Sequence, residues 1–508
     1  MNAYLSALLL LSVPGLPLLL AFPALRSRLP RPCHLALLPA VILLAVPAAF
    51  SIEVPWLLFG SGLGIDAASR WLLAMSVVLW AVAATLLQAP SGQAVDKRLT
   101  VFFLLTMATH LGAILATDLV GFFAFAALLG YGFYGLLVAA GDETARRAGR
   151  VYLVFMVVAD LVLFEALLIA AATTGDLHFE AAHHALALSQ EGAPASLWYV
   201  SMVLVGFALK VGIWPLHFWL PLAFRAARPA VALLLGGVPV AIALLGIVRF
   251  LPLGEITLPD LGAGIQWLGL TAAIYGTVVG LMQSHPRTLL AYATMVVTSL
   301  FITLLGSGLE WPLLGAALQG TAPLFIMTLG FTVAALVAGS MLADKVTTQS
   351  ALLVTARRVG VLLLALSPLM TVILTRPSGG GERLFAESGL VALWPWWMLC
   401  TVLLAFRWLY LLLRRQGETM SAPASMIPPG DFWPILERWF SQSNHWFMSM
   451  GLQLLPRWRS SGLAAAGRLL QVRVWQKALD AGERALQGWS LAVALLLLLG
   501  LAIALLSA

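Results

Sequence analysis

"ALKVGIWPLHFWLPLAFRAARPAVALL", residues 208–234, sets one lysine inside an apolar run and follows it with prolines at 215, 221 and 229. Lys210 falls near the middle of a segment, 197–221, long enough to cross a bilayer. A lysine at that depth costs about 2.5–3.5 kcal/mol on insertion scales, so it must face protein or water. Pro215 and Pro221 remove backbone donors and predict a kinked or discontinuous helix. Broken helices at mid-membrane line ion paths, because the freed backbone groups need polar partners. Lysine there can carry a proton, or it can be a structural cation held by a carboxylate or by carbonyls.

The rest of the chain agrees with a membrane setting. Of 508 residues, 61% are apolar and 10% charged, and mean hydropathy is +0.96. A soluble core cannot absorb that much apolar surface. The apolar runs lack the strict alternation of a membrane barrel, which leaves an all-α polytopic protein. Fourteen spans are expected, at 3–25, 33–50, 70–88, 99–117, 119–140, 151–173, 197–221, 228–251, 262–283, 287–306, 311–341, 357–375, 389–413 and 486–507. The first run has no convincing small-residue cleavage site and is taken as a span, not a signal peptide. Gly320 and Pro323 predict a break inside 311–341. The organisation is thus a transmembrane bundle over 1–413, an interfacial segment over 414–485 and a last helix within 486–508. The segment 414–485 mixes Trp and Arg with apolar residues. It reads as one or two amphipathic helices at the cytoplasmic interface, either a membrane-surface anchor or a docking surface for a partner subunit, with a cytoplasmic soluble subunit among the candidates.

Charge gives the orientation. Loops after odd-numbered spans carry Arg26, Arg28, Arg31, Lys97, Arg98, Arg146, Arg147, Arg150, Arg225, Arg228, Arg287, Lys345, Arg357 and Arg358. Loops after even-numbered spans carry only Arg70, Arg249, Arg376 and Arg383. The positive-inside rule puts the odd loops in the cytoplasm and both termini outside, across a cell inner membrane. The net charge of +7 therefore reports topology and not nucleic-acid binding.

Few polar groups could serve Lys210. Asp160 and Glu165 lie five residues apart in the sixth span, about 140° apart around a helix, so only one of them can face a given neighbour. His110 in the fourth span, His217 beyond Lys210 and Arg407 near a cytoplasmic helix end complete the set. The candidate ion-translocation residues are Lys210, Asp160, Glu165, His110 and His217. His178, Glu180, His183 and His184 include metal-capable side chains but sit in an outer loop. Cys33 and Cys400 fit no metal or disulfide framework. No phosphate-binding glycine loop, nucleophile elbow, zinc signature or iron–sulfur cysteine set appears, so no cofactor and no catalytic site is expected.

The frame Lys210, Pro215, Leu216, His217, Trp219, Leu220, Pro221 and Pro229 resembles the signature of the antiporter-like membrane subunits. These occur in complex I, in Mrp-type cation/proton antiporters and in membrane-bound hydrogenases of the formate hydrogenlyase type. "RTLLAYATM" from Arg287 and "DLVGFFAFAALLGYGFYGLLVAAGD" from Asp118 are similar to two further segments of that family. The resemblance implies fourteen spans with helices 7 and 12 broken, membership of a multisubunit proton- or cation-translocating complex, and partners among its other membrane subunits. It also implies a fifth-helix glutamate paired with the seventh-helix lysine, and a relay onward to the twelfth helix. Here the sequence departs from the family. The glutamate register falls on Ala127, the eighth-helix relay positions on Leu235 and Val240, and 319–327 carries no charge. Lys210 is present while most of its relay is apolar. The chain either conducts through a shortened path using Asp160 or Glu165, or is a scaffold inside its complex. An alternative is the membrane half of a cation-coupled bicarbonate or CO2 uptake complex with a soluble zinc partner. An independent transporter for a small solute would need more polar residues in the spans.

Overall fold

The computed structural model describes residues 3–54, 60–87, 97–139, 141–188, 194–341, 358–367 and 390–417. In chain order the helices are α1 (Ala3–Leu20), α2 (Pro23–Arg26), α3 (Pro32–Leu35) and α4 (Leu38–Ala45), then a hairpin of β1 (Phe50–Glu53) and β2 (Gly62–Ile65). There follow α5 (Ala67–Leu87), α6 (Lys97–Leu115), α7 (Leu119–Val138), α8 (Glu143–Thr173), α9 (Phe179–Leu188) and α10 (Pro194–Val211). The second half holds α11 (Trp219–Ala226), α12 (Pro229–Leu235), α13 (Pro239–Phe250), α14 (Pro259–Leu281), α15 (Pro286–Glu310) and α16 (Pro312–Met341). Last come α17 (Arg358–Ser367) and α18 (Leu390–Gly417). Among the described residues nine helices are long and apolar enough to cross a membrane, and four shorter apolar helices stand at the first, second, seventh and twelfth expected spans. The segment 414–485, expected to be interfacial, falls outside the described residues from 418 onward, and the last expected span, 486–507, lies outside them entirely.

Three findings differ from the sequence reading. The hairpin, pairing Phe50 with Ile65 through Glu53 with Gly62, follows the second span where no strand was expected. Helix α16 runs unbroken across Gly320 and Pro323. One proline deletes one backbone hydrogen bond, and a helix clamped by α5, α12, α13 and α15 can carry that loss without ending. A break that was not expected divides the eighth span between α12 and α13, at Gly236–Val238. Pro239 then starts α13, its missing N–H falling where a helix has no acceptor for it. The expected break in the seventh span is present between α10 and α11, whereas the twelfth is described only over α17.

The core is organised by two helical stretches, Pro229–Phe250 and Pro286–Glu310, whose most apolar 18-residue windows are entirely buried. Helices α7 and α10 pack against α13, while α14, α16 and α18 pack against α15. The two arginines that break the charge bias inside the described residues are explained by helix ends. Arg70 donates to the carbonyl of Leu44 in the last turn of α4 and to those of Val46, Pro47 and Ala48 just beyond it. Arg249 donates to the carbonyls of Ala113, Ile114 and Ala116 at 3.2, 3.0 and 2.9 Å and to Ser69 Oγ at 2.9 Å. Its guanidinium also lies over the rings of Phe122 and Phe179. Carbonyls at a helix C-terminus have no intrahelical donor, and a cation there also meets the negative end of the dipole. Arg249→Leu is therefore expected to cost about 3 kcal/mol. Arg70→Leu should cost less, since part of its carbonyl set is exposed. Thermal unfolding of the two variants in one detergent checks the order.

Candidate functional site

Helix α10 ends at Val211, and Lys210 occupies its last turn. The helix stops because Gly212 takes φ +73°, a left-handed conformation that suits glycine. Its N–H returns to the Ala208 carbonyl at 2.9 Å, and the Trp219 indole donates to the Leu209 carbonyl at 2.9 Å. A Cβ on Gly212 would stand 3.0 Å from that indole nitrogen, so the break and the tryptophan are fitted to each other. The carbonyl end of α10 favours a cation, which contributes to holding Lys210 at this depth.

The charge itself is met by α8. Lys210 Nζ lies 2.6 Å from Asp160 Oδ1, with side-chain exposures of 6% and 10%. The approach is a close ion pair, not an aligned hydrogen bond, and the Tyr131 hydroxyl of α7 also interacts with the Asp160 carboxylate. The lysine also reaches the Ala126 carbonyl of α7 at 3.5 Å. Ala126 adjoins Ala127, the register position of the family glutamate. The carboxylate beside the lysine thus comes from α8 where the family would draw it from α7. Helix α8 braces both sides of the break: Asp160 meets α10, and two turns earlier Tyr152 packs edge-on against Trp219 of α11 at 5.1 Å.

The other candidates fall elsewhere. His217 is buried in the segment between α10 and α11 and faces Tyr275 and Tyr292 of α14 and α15, at ring distances of 5.4 and 6.2 Å. The break therefore presents Lys210 to one half of the bundle and His217 to the other. His110 is fully enclosed in α6, its Nδ1 accepting from the Trp80 indole at 2.9 Å. No described contact joins it to Lys210 or Asp160. Glu165 is not brought to Lys210: it stands exposed on the outer face of α8 and has no hydrogen bond or ion pair among the described residues. Arg407 donates to the Gln283 carbonyl at 3.0 Å and lies over Tyr410. Of the group expected in an outer loop, only His178 lies in a connection, whereas Glu180, His183 and His184 fall within helix α9. His178 pairs with Asp176 at 2.6 Å, which raises the imidazole pKa, and His183 bonds the Arg249 carbonyl at 2.8 Å.

Sequence reasoning missed Tyr131, which interacts with Asp160 from α7. The signal was available, because Tyr131 lies one turn beyond Ala127 and so on the same helix face.

These features define a polytopic helical membrane protein with a buried lysine–aspartate pair at a broken helix. The family described as "NADH:quinone oxidoreductase/Mrp antiporter, TM" matches residues 116–376, and the chain belongs to it. It is 28% identical over 213 residues to a subunit of the Na(+)/H(+) antiporter of Bacillus subtilis, a match that covers 41% of each chain. It is 29% identical over 201 residues to a subunit of the NADH-quinone oxidoreductase of Pelobacter propionicus, covering 38% of this chain and 42% of that one. The matches thus span less than half the length of these relatives. A chain of the membrane-bound sulfane sulfur reductase, an archaeal respiratory membrane complex, shares the fold with TM-score 0.66 at 14% identity, over 84% of this chain and 91% of that one. The inorganic-carbon alternative gains no specific support from these proteins.

Proposed function

We propose that this chain is an antiporter-like membrane subunit of a multisubunit complex that moves protons or cations, and that Lys210 and Asp160 are its coupling pair. One observation carries the reading: an ion pair at 2.6 Å, buried, at the end of a helix that stops inside the bundle. The pair is neutral as a unit. A proton delivered to Asp160 cancels the carboxylate and strands the ammonium, leaving it only the Ala126 carbonyl and the end of α10. Transfer of a proton from Lys210 relieves that charge. Gain at one residue is thereby tied to loss at the other, which is what a coupling site requires. Other membrane subunits of the complex are its partners. Both termini face outward across a cell inner membrane, and 414–485 offers a cytoplasmic surface to a soluble subunit.

The test separates proton transfer from scaffolding. Lys210→Arg keeps the charge but cannot release a proton. In the native complex it is expected to lower ion flux at least about tenfold, about 1.4 kcal/mol in barrier, while the complex stays assembled. Flux retained in both Lys210→Arg and Lys210→Ala would assign the chain a scaffold role.

A further inference from the structure

Helix α8 has a second face that the coupling pair leaves unused. Val154, Val158, Leu161, Glu165 and Leu168 are all exposed, Leu161 at 63%. Their spacing is 4-3-4-3, the seam along which one helix packs against another with a repeat of 3.5 residues. Asp160, Leu163 and Leu167 point the other way, into the bundle. Four of the five seam residues suit lipid as well as protein. Glu165 does not. It stands five residues past Asp160 and, within the expected span 151–173, about 12 Å from the nearer end, farther than its short side chain reaches. Within the apolar run 151–173 of α8 it is the one exposed charged side chain, since Asp160 is buried. The exposed stripe of α14, through Trp267, Ile274 and Val278, carries no charge.

We infer that this seam is a subunit interface, and that its occupant is a transmembrane helix of a different subunit bearing a lysine or arginine level with Glu165. The inference rests on the chain working inside a multisubunit membrane complex. Charge selects the occupant. A second copy packed symmetrically on the seam would set Glu165 against Glu165. The chain's own span 486–507 contains no charged residue. A cation from a foreign helix satisfies the carboxylate and fixes the register of the two helices, as a lone polar residue does in a coiled-coil seam. The same helix covers the outer side of α8, on the far side from the lysine pair.

The experiment places a photo-crosslinking phenylalanine analogue at Leu161 or Leu168 in the full chain within native membranes, with Ile274 as a control position. The expected result is an adduct from 161 and 168, absent from 274, whose mapped peptide is a transmembrane segment of another subunit with Lys or Arg within one turn of the crosslink. Glu165→Lys should reduce the adduct about fivefold or more, from the 1–2 kcal/mol of an interhelical polar contact. Changing the mapped cation to Glu in that background should restore it. Lipid adducts alone, a dimer of this chain, a mapped segment without a cation, or an adduct indifferent to Glu165→Lys would each overturn the inference. Ion flux in the Lys210 variants reports on the coupling pair and not on this seam, so the two readings fail separately.

Discussion

Asp160→Leu is expected to destabilise the protein by about 3–5 kcal/mol, because it leaves Lys210 as an uncompensated buried charge. Lys210→Met should cost a similar amount by stranding the carboxylate. The double variant should lie within about 1–2 kcal/mol of the parent, since replacing a buried pair with apolar residues of like volume is often neutral. The 2.6 Å contact and the enclosure of both side chains make the coupling strong. All three variants should lose ion flux, so stability and transport part company in the double variant alone. Chemical or thermal unfolding in detergent, set beside flux in the assembled complex, supplies both readouts. Additive single effects would show that the two charges do not depend on each other, and the pairing would then not be the organising feature of the site.

The seventh-helix break was legible because its determinants are local. A lysine at mid-span, Gly212 and Pro215 within five residues, and a tryptophan able to bond a freed carbonyl all lie in one stretch of sequence. The choice between Asp160 and Glu165 was not legible. Helical periodicity places them about 140° apart and so says that one can face Lys210, but not which. That is decided by which side of α8 meets α10, a property of packing between distant segments. Ala127 was readable as the missing glutamate position, yet nothing in the fifth span indicates that a carboxylate from the sixth stands beside it. His110 illustrates the opposite limit. Its place in an apolar span marks it as notable, and only the Trp80 contact shows a side chain engaged in packing. Pro323 misled for a related reason. A proline predicts the loss of a hydrogen bond, whereas helix termination depends on how firmly neighbours hold both halves, and α16 is held along its length.

The seam between α14 and α15 supports the largest packing effect. Gly262, Gly269 and Gly276 recur every seven residues along one face of α14, and small residues at such an interface let two helix backbones approach. A Cβ on Gly262 would stand 2.6 Å from the Gly306 carbonyl oxygen, and one on Gly269 would stand 2.8 Å from the Ser299 carbonyl oxygen and the Thr303 amide nitrogen. Backbone cannot rotate aside. At Gly276 the obstacles are the ends of Met295 and Val296 side chains, which can. Gly269→Ala is therefore expected to cost about 1–3 kcal/mol, and Gly269→Leu to prevent α14 from seating on α15 at all. Gly276→Ala should fall below both. Gly264, on the same helix with no neighbour within 4 Å of its added Cβ, is the control. There alanine should stabilise by about 0.5–1 kcal/mol through helix propensity alone. Helix α15 carries Tyr292, one of the rings against His217, so loss of the α14 contact should also disturb the far side of the broken helix. Monodisperse yield and unfolding temperature across the four variants measure the series. Equal costs at 264 and 269 would show that close backbone approach is not what the glycines supply.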